Sequence, residues 1–492
     1  MVKLQITRGS EHTTLEAQPG TNLLVLLRSA GLAPEAPCGG NGKCGKCAAL
    51  VNGVEVLTCN YSVESDITVT LKEKKKTNIL TTGAAAKVTA DPLKEGHLIA
   101  FDIGTTTVVC FLLSAEGEEL AVESMLNPQA PFGADVISRI QQALAGETES
   151  QTAVIRRGME QLIAACCAKA GITPGDIGVV SVVGNPCMQQ LFLGITPGNL
   201  ATVPFDPVLT KAEVCSAADY LPSCVNALLL TVPDISGYVG GDTMACVLAS
   251  RMYEAEDTVL MVDIGTNGEM VLSHAGRMTA CSTAAGPALE GANIRFGMRG
   301  SPGAIDHVWA ENGELTCSVI GGGKAAGICG SGIIDAAAAA LNEKLLNKRG
   351  RIQSTEEAEG QRILKLTDGV YLTQDDIRQV QMAKGAIAAG IHLMCGYLGI
   401  TAADIDRVIL AGAFGSFLKP ESACRIELLP RELLGKIQAA GNLAGAGSRM
   451  MAANRQEFAL TQKLLDRIEF IELANLPTFQ KTFAKCMNFS EN

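Results

Sequence analysis

FDIGTTTVV at Phe101–Val109 and VDIGTNGEMV at Val262–Val271 carry the same four residues, D-I-G-T, in the same local frame. Each follows an apolar run and continues into another, which predicts a buried strand, a tight turn through Gly-Thr and a second strand. A further echo links VVSVVGNP from Val179 to RVILAGAFG from Arg407, each a buried strand ending on glycine. Helical segments separate these strands, so this part of the chain reads as α/β. The repetition predicts two lobes of related design, with one active site between them.

A strand that ends in Asp and turns through Gly-Thr offers three groups together. The carboxylate can hold a hydrated Mg2+, the glycine exposes backbone N–H groups, and threonine hydroxyls reach phosphate oxygens. One such loop is weak evidence; two copies and a glycine-ended strand, VILAGAFGSF at Val408–Phe417, are much stronger.

Outward from the repeat the texture changes. Residues 1–71 read as a small α+β module: strands KLQITR and HTTLEA, a helix in TNLLVLLRSAG, a cysteine loop, and a closing strand DITVTL. Residues 72–97 lose periodicity and read as a linker, whose basic start LKEKKK is expected to be solvated. The first lobe is expected over residues 98–255, the second over 256–440, and a C-terminal helical return segment over 441–492. The uncharged run Gly385–Ala403 contains His392 and four glycines and reads as a buried helix plus its turn, not a membrane span. No secretory leader is recognisable at the N-terminus, so a cytoplasmic location is expected. A net charge of -11 argues against nucleic-acid binding.

Four of the 17 cysteines crowd into PCGGNGKCGKCAALVNGVEVLTC, at Cys38, Cys44, Cys47 and Cys59. With 492 residues, 47% of them hydrophobic, the chain needs no disulfide staples. Clustered thiols in a reducing compartment more often bind metal. The spacing C-x5-C-x2-C-x11-C is one residue longer in its first gap than the plant-type 2Fe-2S pattern, and its last cysteine is near. Structural zinc is the competing reading, but the segment has no histidine and only one C-x2-C pair. The other thirteen cysteines are scattered, mostly in apolar runs, and Cys166, Cys167, Cys187, Cys281 and Cys329 are expected to be small buried hydrophobes.

The two D-I-G-T loops and the glycine-ended strand together resemble the nucleotide site of the actin, sugar-kinase and heat-shock-chaperone superfamily. The resemblance implies a two-lobed actin-like ATPase. In it Asp102 and Asp263 position Mg2+ through water, while Gly104, Thr105, Thr106, Thr107, Gly265, Thr266 and Asn267 serve the phosphates. Gly412, Ala413 and Gly415 would line the adenosine. GGDTMACVLAS at Gly240 resembles the segment that carries an acid near the attacking water, which makes Asp242 a candidate; a helix-capping role is the equal alternative. In GICGSGIID, Gly330 and Ser331 at a helix start suit a ribose or phosphate oxygen, with close helix packing as the alternative.

Further blocks, NPQAPFGADVISRI from Asn127, VGNPCMQQLFLGITP from Val183, AAGPALEGANIRFGM from Ala284, LTQDDIRQVQMAKGAI from Leu372 and AGAFGSFLKP from Ala411, sharpen the resemblance. With the cysteine-rich head they are similar to the reductive activators of corrinoid proteins. That family implies a β-grasp 2Fe-2S ferredoxin-type domain fused to the ATPase, with a 2Fe-2S cluster, ATP and Mg2+ as cofactors. The implied activity is ATP-dependent return of a partner's Co(II) corrinoid to Co(I) for methyl transfer. The implied partners are the corrinoid protein of a methyltransferase system and an external low-potential electron donor, with no nucleic acid and no membrane; a homodimer is compatible with the sequence. Two departures stand out. Larger relatives insert a small domain where this chain has only its linker. This C-terminus has Cys486 alone, so the head is the one expected electron port. The alternatives are an ATP-driven donor to a radical dehydratase or acyl-CoA reductase, and a redox-sensing protein switched by nucleotide.

Overall fold

Period-two burial builds the N-terminal sheet. In β1 (Val2–Arg8) Val2, Leu4 and Ile6 point inward, while Lys3 and Gln5 face solvent. β2 (Glu11–Ala17) pairs antiparallel with it. Helix α1 (Leu23–Ser29) begins where the Asn22 side chain accepts the Val25 N–H, and it buries Leu23, Leu24 and Leu27 against the sheet. β3 (Ala48–Val51), β4 (Val54–Leu57) and β5 (Ile67–Leu71) complete the order β2-β1-β5-β3-β4, with β1 and β5 parallel. A helix packed across a mixed five-stranded sheet is the β-grasp arrangement expected of the head.

This computed structural model describes the chain except for Pro37, Lys43, residues 73–80 and 84–86, Asn312 and residues 491–492, and the side chain of Ala413. Part of the expected linker, including most of its basic start, therefore lies outside the described residues. The chain forms two compact units, the first within Met1–Lys76, Val88–Asp242 and Ser448–Ala459, the second within Thr77–Lys87, Thr243–Gly447 and Leu460–Asn492.

Beyond the head, the first unit contains β6 (His97–Ile103), β7 (Thr107–Leu113), β8 (Glu119–Leu126), helices α2 (Val136–Gln142) and α3 (Thr148–Ala170), and β9 (Ile177–Gly184). Helix α4 (Pro186–Leu193), β10 (Glu213–Ser216), β11 (Leu228–Thr231) and the start of α5 (Gly241–Ser250) follow. The sheet runs β8-β7-β6-β9-β11-β10, antiparallel through β8-β7-β6 and parallel across β6, β9 and β11. β9 is buried at every residue, as expected of a central parallel strand covered on both faces.

The second unit repeats the plan. β12 (Val259–Ile264), β13 (Gly268–His274) and β14 (Arg277–Thr283) form the antiparallel run. β15 (Ala304–Glu311), α6 (Gly330–Asn342) and α7 (Gln374–Leu398) follow, then β16 (Arg407–Ala411), α8 (Gly412–Phe417) and β17 (Ile437–Gly441). With α9 (Leu443–Ala453), α10 (Arg455–Leu465) and β18 (Ile468–Phe470), the sheet order is β17-β16-β12-β13-β14-β18, and β16 is parallel to both β12 and β17. β6 corresponds to β12, β7 to β13, β8 to β14, β9 to β16 and β11 to β17. The run Gly385–Ala403 is the second half of α7 and its Gly399 cap, and no described helix is long and apolar enough to cross a membrane.

Residues from the C-terminal part complete the first unit. Buried Ser448 donates to the Phe101 carbonyl at 3.1 Å and meets Ser181 Oγ at 3.1 Å. Asp91 N–H donates to the Ala453 carbonyl at 2.8 Å, and Asn454 Nδ2 to the Thr89 carbonyl at 2.8 Å, so the far end of the expected linker is stitched to the α9–α10 junction.

Candidate functional site

In the head, the β3–β4 hairpin closes the longest gap between the four cysteines. Its register sets Ala48 opposite Leu57, which carries the flanking Cys47 and Cys59 side by side with 3.3 Å between their Sγ atoms. Thr58 locks the pair by donating through Oγ1 and N–H to the Cys47 carbonyl, at 2.9 and 3.1 Å, and Asn22 Nδ2 holds the Cys59 carbonyl at 2.8 Å. Between Cys38 and Cys47 the backbone turns through positive φ at Gly39, Gly40, Gly42 and Gly45, from +65° to +96°, a wrap a side chain would strain. Burial, then the neighbouring Cys47, pushes the Cys59 thiol up to about 11, so binding of a metal must displace that proton. Among the described residues no three Cys, His, Asp or Glu side chains converge on one metal position. The donor set is all sulfur, and none of the 17 cysteines is in a disulfide.

The D-I-G-T turns are the expected phosphate loops, loop one joining β6 to β7 and loop two joining β12 to β13. Asp102 ends β6, opposite Val109 of β7 on one side and Val183 of β9 on the other. Three consecutive carbonyls of the turn are held from outside it. Asn127 Nδ2 donates to the Gly104 carbonyl at 2.8 Å and Asn127 N–H to the Thr106 carbonyl at 2.8 Å. Arg139 Nη2 donates to the Thr105 carbonyl, and Arg139 Nε to the Gly133 carbonyl at 3.1 Å. Asn185, which caps α4, donates to Thr105 Oγ1 at 3.1 Å. Thr107 begins β7.

Asp242 occupies the first turn of α5. Beside it lies a carboxyl the sequence reading missed. Asp234 is 1% exposed and accepts from Gln189 Nε2 at 2.7 Å. Burial, reinforced by the negative charge of Asp242, holds the Asp234 carboxyl well above the usual carboxylate range.

In the second unit, Asp263 ends β12 opposite Glu269 and Ala411. Gly412 has φ +78°, and a Cβ there would stand 2.4 Å from Asp263 Oδ1, so only glycine lets β16 turn into α8 against this carboxylate. Phosphate loop two closes on itself: Gly265 N–H donates to the Asn267 carbonyl at 2.8 Å, and Thr266 Oγ1 donates to Glu290 Oε2 at 2.9 Å. Glu290, quoted above within AAGPALEGANIRFGM, is a second acid that the sequence reading did not single out. Ala413 and Gly415 lie in α8. Gly330 and Ser331 start α6, but Ser331 Oγ donates to the Asp306 carbonyl at 2.8 Å, and a Cβ at Gly330 would fall 1.8 Å from the Leu289 carbonyl. These contacts are packing. One turn on, buried Asp335 is held by His307 Nδ1 at 2.9 Å and Lys419 at 3.2 Å.

A four-cysteine β-grasp head on a twice-repeated sheet, each copy presenting an Asp-ended strand and a Gly-Thr turn, defines an iron–sulfur protein with an actin-like ATPase. Three family models together match nearly the whole chain. The 2Fe-2S iron-sulfur cluster binding domain covers residues 6–80, the RACo middle region residues 98–255, and the C-terminal domain of RACo, the ASKHA domain, residues 257–492. The corrinoid activation enzyme RamQ of Eubacterium limosum is 36% identical over 420 residues, 80% of this chain and 70% of that protein. The [Co(II) methylated amine-specific corrinoid protein] reductase of Methanosarcina barkeri is 27% identical over 371 residues, 68% of this chain and 65% of that one. Among solved structures, a reductive activator for corrinoid, iron-sulfur protein superposes with a TM-score of 0.73 at 25% identity, covering 99% of this chain and 98% of that one. The chain belongs to the RACo family of corrinoid activators.

Proposed function

We propose that this protein is an ATP-dependent reductive activator that passes one electron from a 2Fe-2S head to the Co(II) corrinoid of a partner methyltransferase protein, restoring Co(I). The observation that carries the reading is the all-sulfur set of four clustered cysteines, with Cys47 and Cys59 in contact, on the same chain as the duplicated D-I-G-T loops, in a chain of this family. Cys38, Cys44, Cys47 and Cys59 would hold the cluster. The cluster, when bound, supplies a one-electron store. Asp102 and Asp263 orient hydrated Mg2+, and Gly104, Thr105, Thr106, Thr107, Gly265, Thr266 and Asn267 bind phosphate. Gly412, Ala413 and Gly415 receive the adenosine, with the α6 start at Gly330 and Ser331 beside the ribose. Asp242 orients the attacking water, with the Asp234 carboxyl, kept protonated by burial, beside it.

Plant-type clusters sit near −400 mV, and an acceptor more reducing than that costs about 1.4 kcal/mol per 59 mV for one electron. Nucleotide-driven binding that favours the reducible form of the partner offsets this cost. The electron donor is an external low-potential protein, and the protein works in the cytoplasm, as a monomer or a homodimer. The test is the visible spectrum of a Co(II) corrinoid protein mixed anaerobically with the reduced protein, with and without Mg-ATP. Co(I) is expected to accumulate only with ATP; full Co(I) yield without nucleotide overturns the proposal.

A further inference from the structure

The segment from Asn127 to Gly133 is engaged from two sides. Through Asn127 and Arg139 it holds the carbonyls of Gly104, Thr105 and Thr106. From the other side it receives Arg28, the last-turn residue of α1 in the head. Arg28 Nε donates to the Pro131 carbonyl at 3.0 Å, Nη2 donates to the same oxygen, and Nη1 donates to Gln142 Oε1 at 3.2 Å. Its guanidinium lies 4.9 Å from the ring centre of buried Phe132. Nη2 also donates to the Gly39 carbonyl at 2.9 Å, one residue past Cys38. Arg28 is only 4% exposed; burial lowers its pKa, opposed first by the charge of Glu147 and then by Cys47, Cys59 and Cys38. Two arginines, one from the head and one from α2, are thus planted on carbonyls two residues apart, Pro131 and Gly133. The outer ends of the pair reach the cysteine loop and phosphate loop one.

We propose that Arg28 is a positioning residue that reports nucleotide occupancy of phosphate loop one to the cluster, through Pro131–Gly133 and Arg139. Peptide planes are rigid, so phosphates that reorient the amides of Thr105–Thr107 must also move the carbonyls of Gly104, Thr105 and Thr106 that Asn127 and Arg139 hold. The displacement reaches Pro131 and Gly133, and Arg28 carries it to Gly39. Arginine stays charged even when burial disfavours it, and cluster potential answers to local charge and hydrogen bonding. A shift of this guanidinium therefore changes how readily the cluster holds an electron. The inference rests on the function proposed above, because it needs both a cluster and a nucleotide.

The experiment is a potentiometric titration of the cluster-loaded full chain, followed by electron paramagnetic resonance, without nucleotide and with Mg-AMPPNP. The wild type should show two different midpoint potentials. By reciprocity AMPPNP should then bind the oxidised and reduced forms with different Kd, each tenfold difference answering to about 59 mV. Arg28→Gln should titrate at a more negative potential, with no nucleotide dependence. Arg28→Lys retains the charge and should stay close to the wild-type potential, yet lose the nucleotide dependence, because one ammonium cannot bridge Pro131, Gln142 and Gly39. A wild-type potential indifferent to AMPPNP, or a nucleotide shift that survives in both variants, overturns the inference. Absence of a cluster signal, or of AMPPNP binding by calorimetry, would instead overturn the proposed function beneath it.

Discussion

The two D-I-G-T turns share strand order, register and the Asp at the strand end, yet they are supported differently. Loop one is held from outside, by Asn127, Arg139 and Asn185 reaching in from other elements. Loop two combines an internal bond, Gly265 N–H to the Asn267 carbonyl, with one contact from Thr266 to a distant acid, Glu290. Duplication supplied two similar turns, and their surroundings now hold them by different means.

The comparison can be broken most sharply at the aspartates. Asp102→Asn and Asp263→Asn should each lower kcat for ATP hydrolysis by roughly 10²–10³-fold, the usual loss when a preorganised electrostatic group is removed. The head's visible spectrum should be unchanged in both, and wild-type turnover in either would show that the repeat is only structural. Asn127→Ala strips the side-chain partner from the Gly104 carbonyl, leaving the backbone bond to Thr106, and should cost about 1–3 kcal/mol of stability, read by thermal or denaturant unfolding. An unaltered Tm would remove the claim that loop one is held from outside. Glu290→Gln keeps the shape of loop two and weakens one bond to a charged acceptor. A loss of about 1.5–3 kcal/mol, read as a higher KM for ATP, is expected with little change in unfolding.

The smallest effect concerns pH. Asp234 has a folded-state pKa raised above its unfolded value, so the native state binds a proton the unfolded chain has released. Its contribution is fully present below the unfolded carboxylate range and is lost as pH rises toward the raised value. Asp234→Asn keeps the acceptor oxygen for Gln189 and cannot ionise. It should flatten the decline in stability over that window, measured as Tm against pH; an unchanged slope would show that Asp234 does not carry the proton.

Much of this was legible from residue pattern. The D-I-G-T turns announced themselves because a buried strand, a fixed carboxylate and a glycine turn are all local requirements, and the cysteine loop because its glycines and thiols must be neighbours in sequence. The start of α6 was ambiguous, and the structure gives the Ser331 hydroxyl to the Asp306 carbonyl. Arg28, Asn127, Arg139, Asp234 and Glu290 were not legible as site residues. Each is an ordinary residue type on a helix or in a loop, and its meaning comes from a carbonyl or carboxylate brought near by tertiary packing. Asn127 lay inside a block quoted for its resemblance, yet no spacing rule points from it to Gly104.

Ser448, lodged between Phe101 and Ser181, has a consequence for how the chain is made. A ribosome releases the head and strands β6 to β11 long before residues 448–459 exist, so the first unit waits with a buried slot open while the second is synthesised. Domains that emerge early usually fold early. Here the early unit cannot close until the late one is nearly finished, and the nascent chain must keep the β6–β9 surface from other partners in the interval. Any version of this protein cut before Ser448 is therefore expected to aggregate during expression, whatever activity its remaining residues encode.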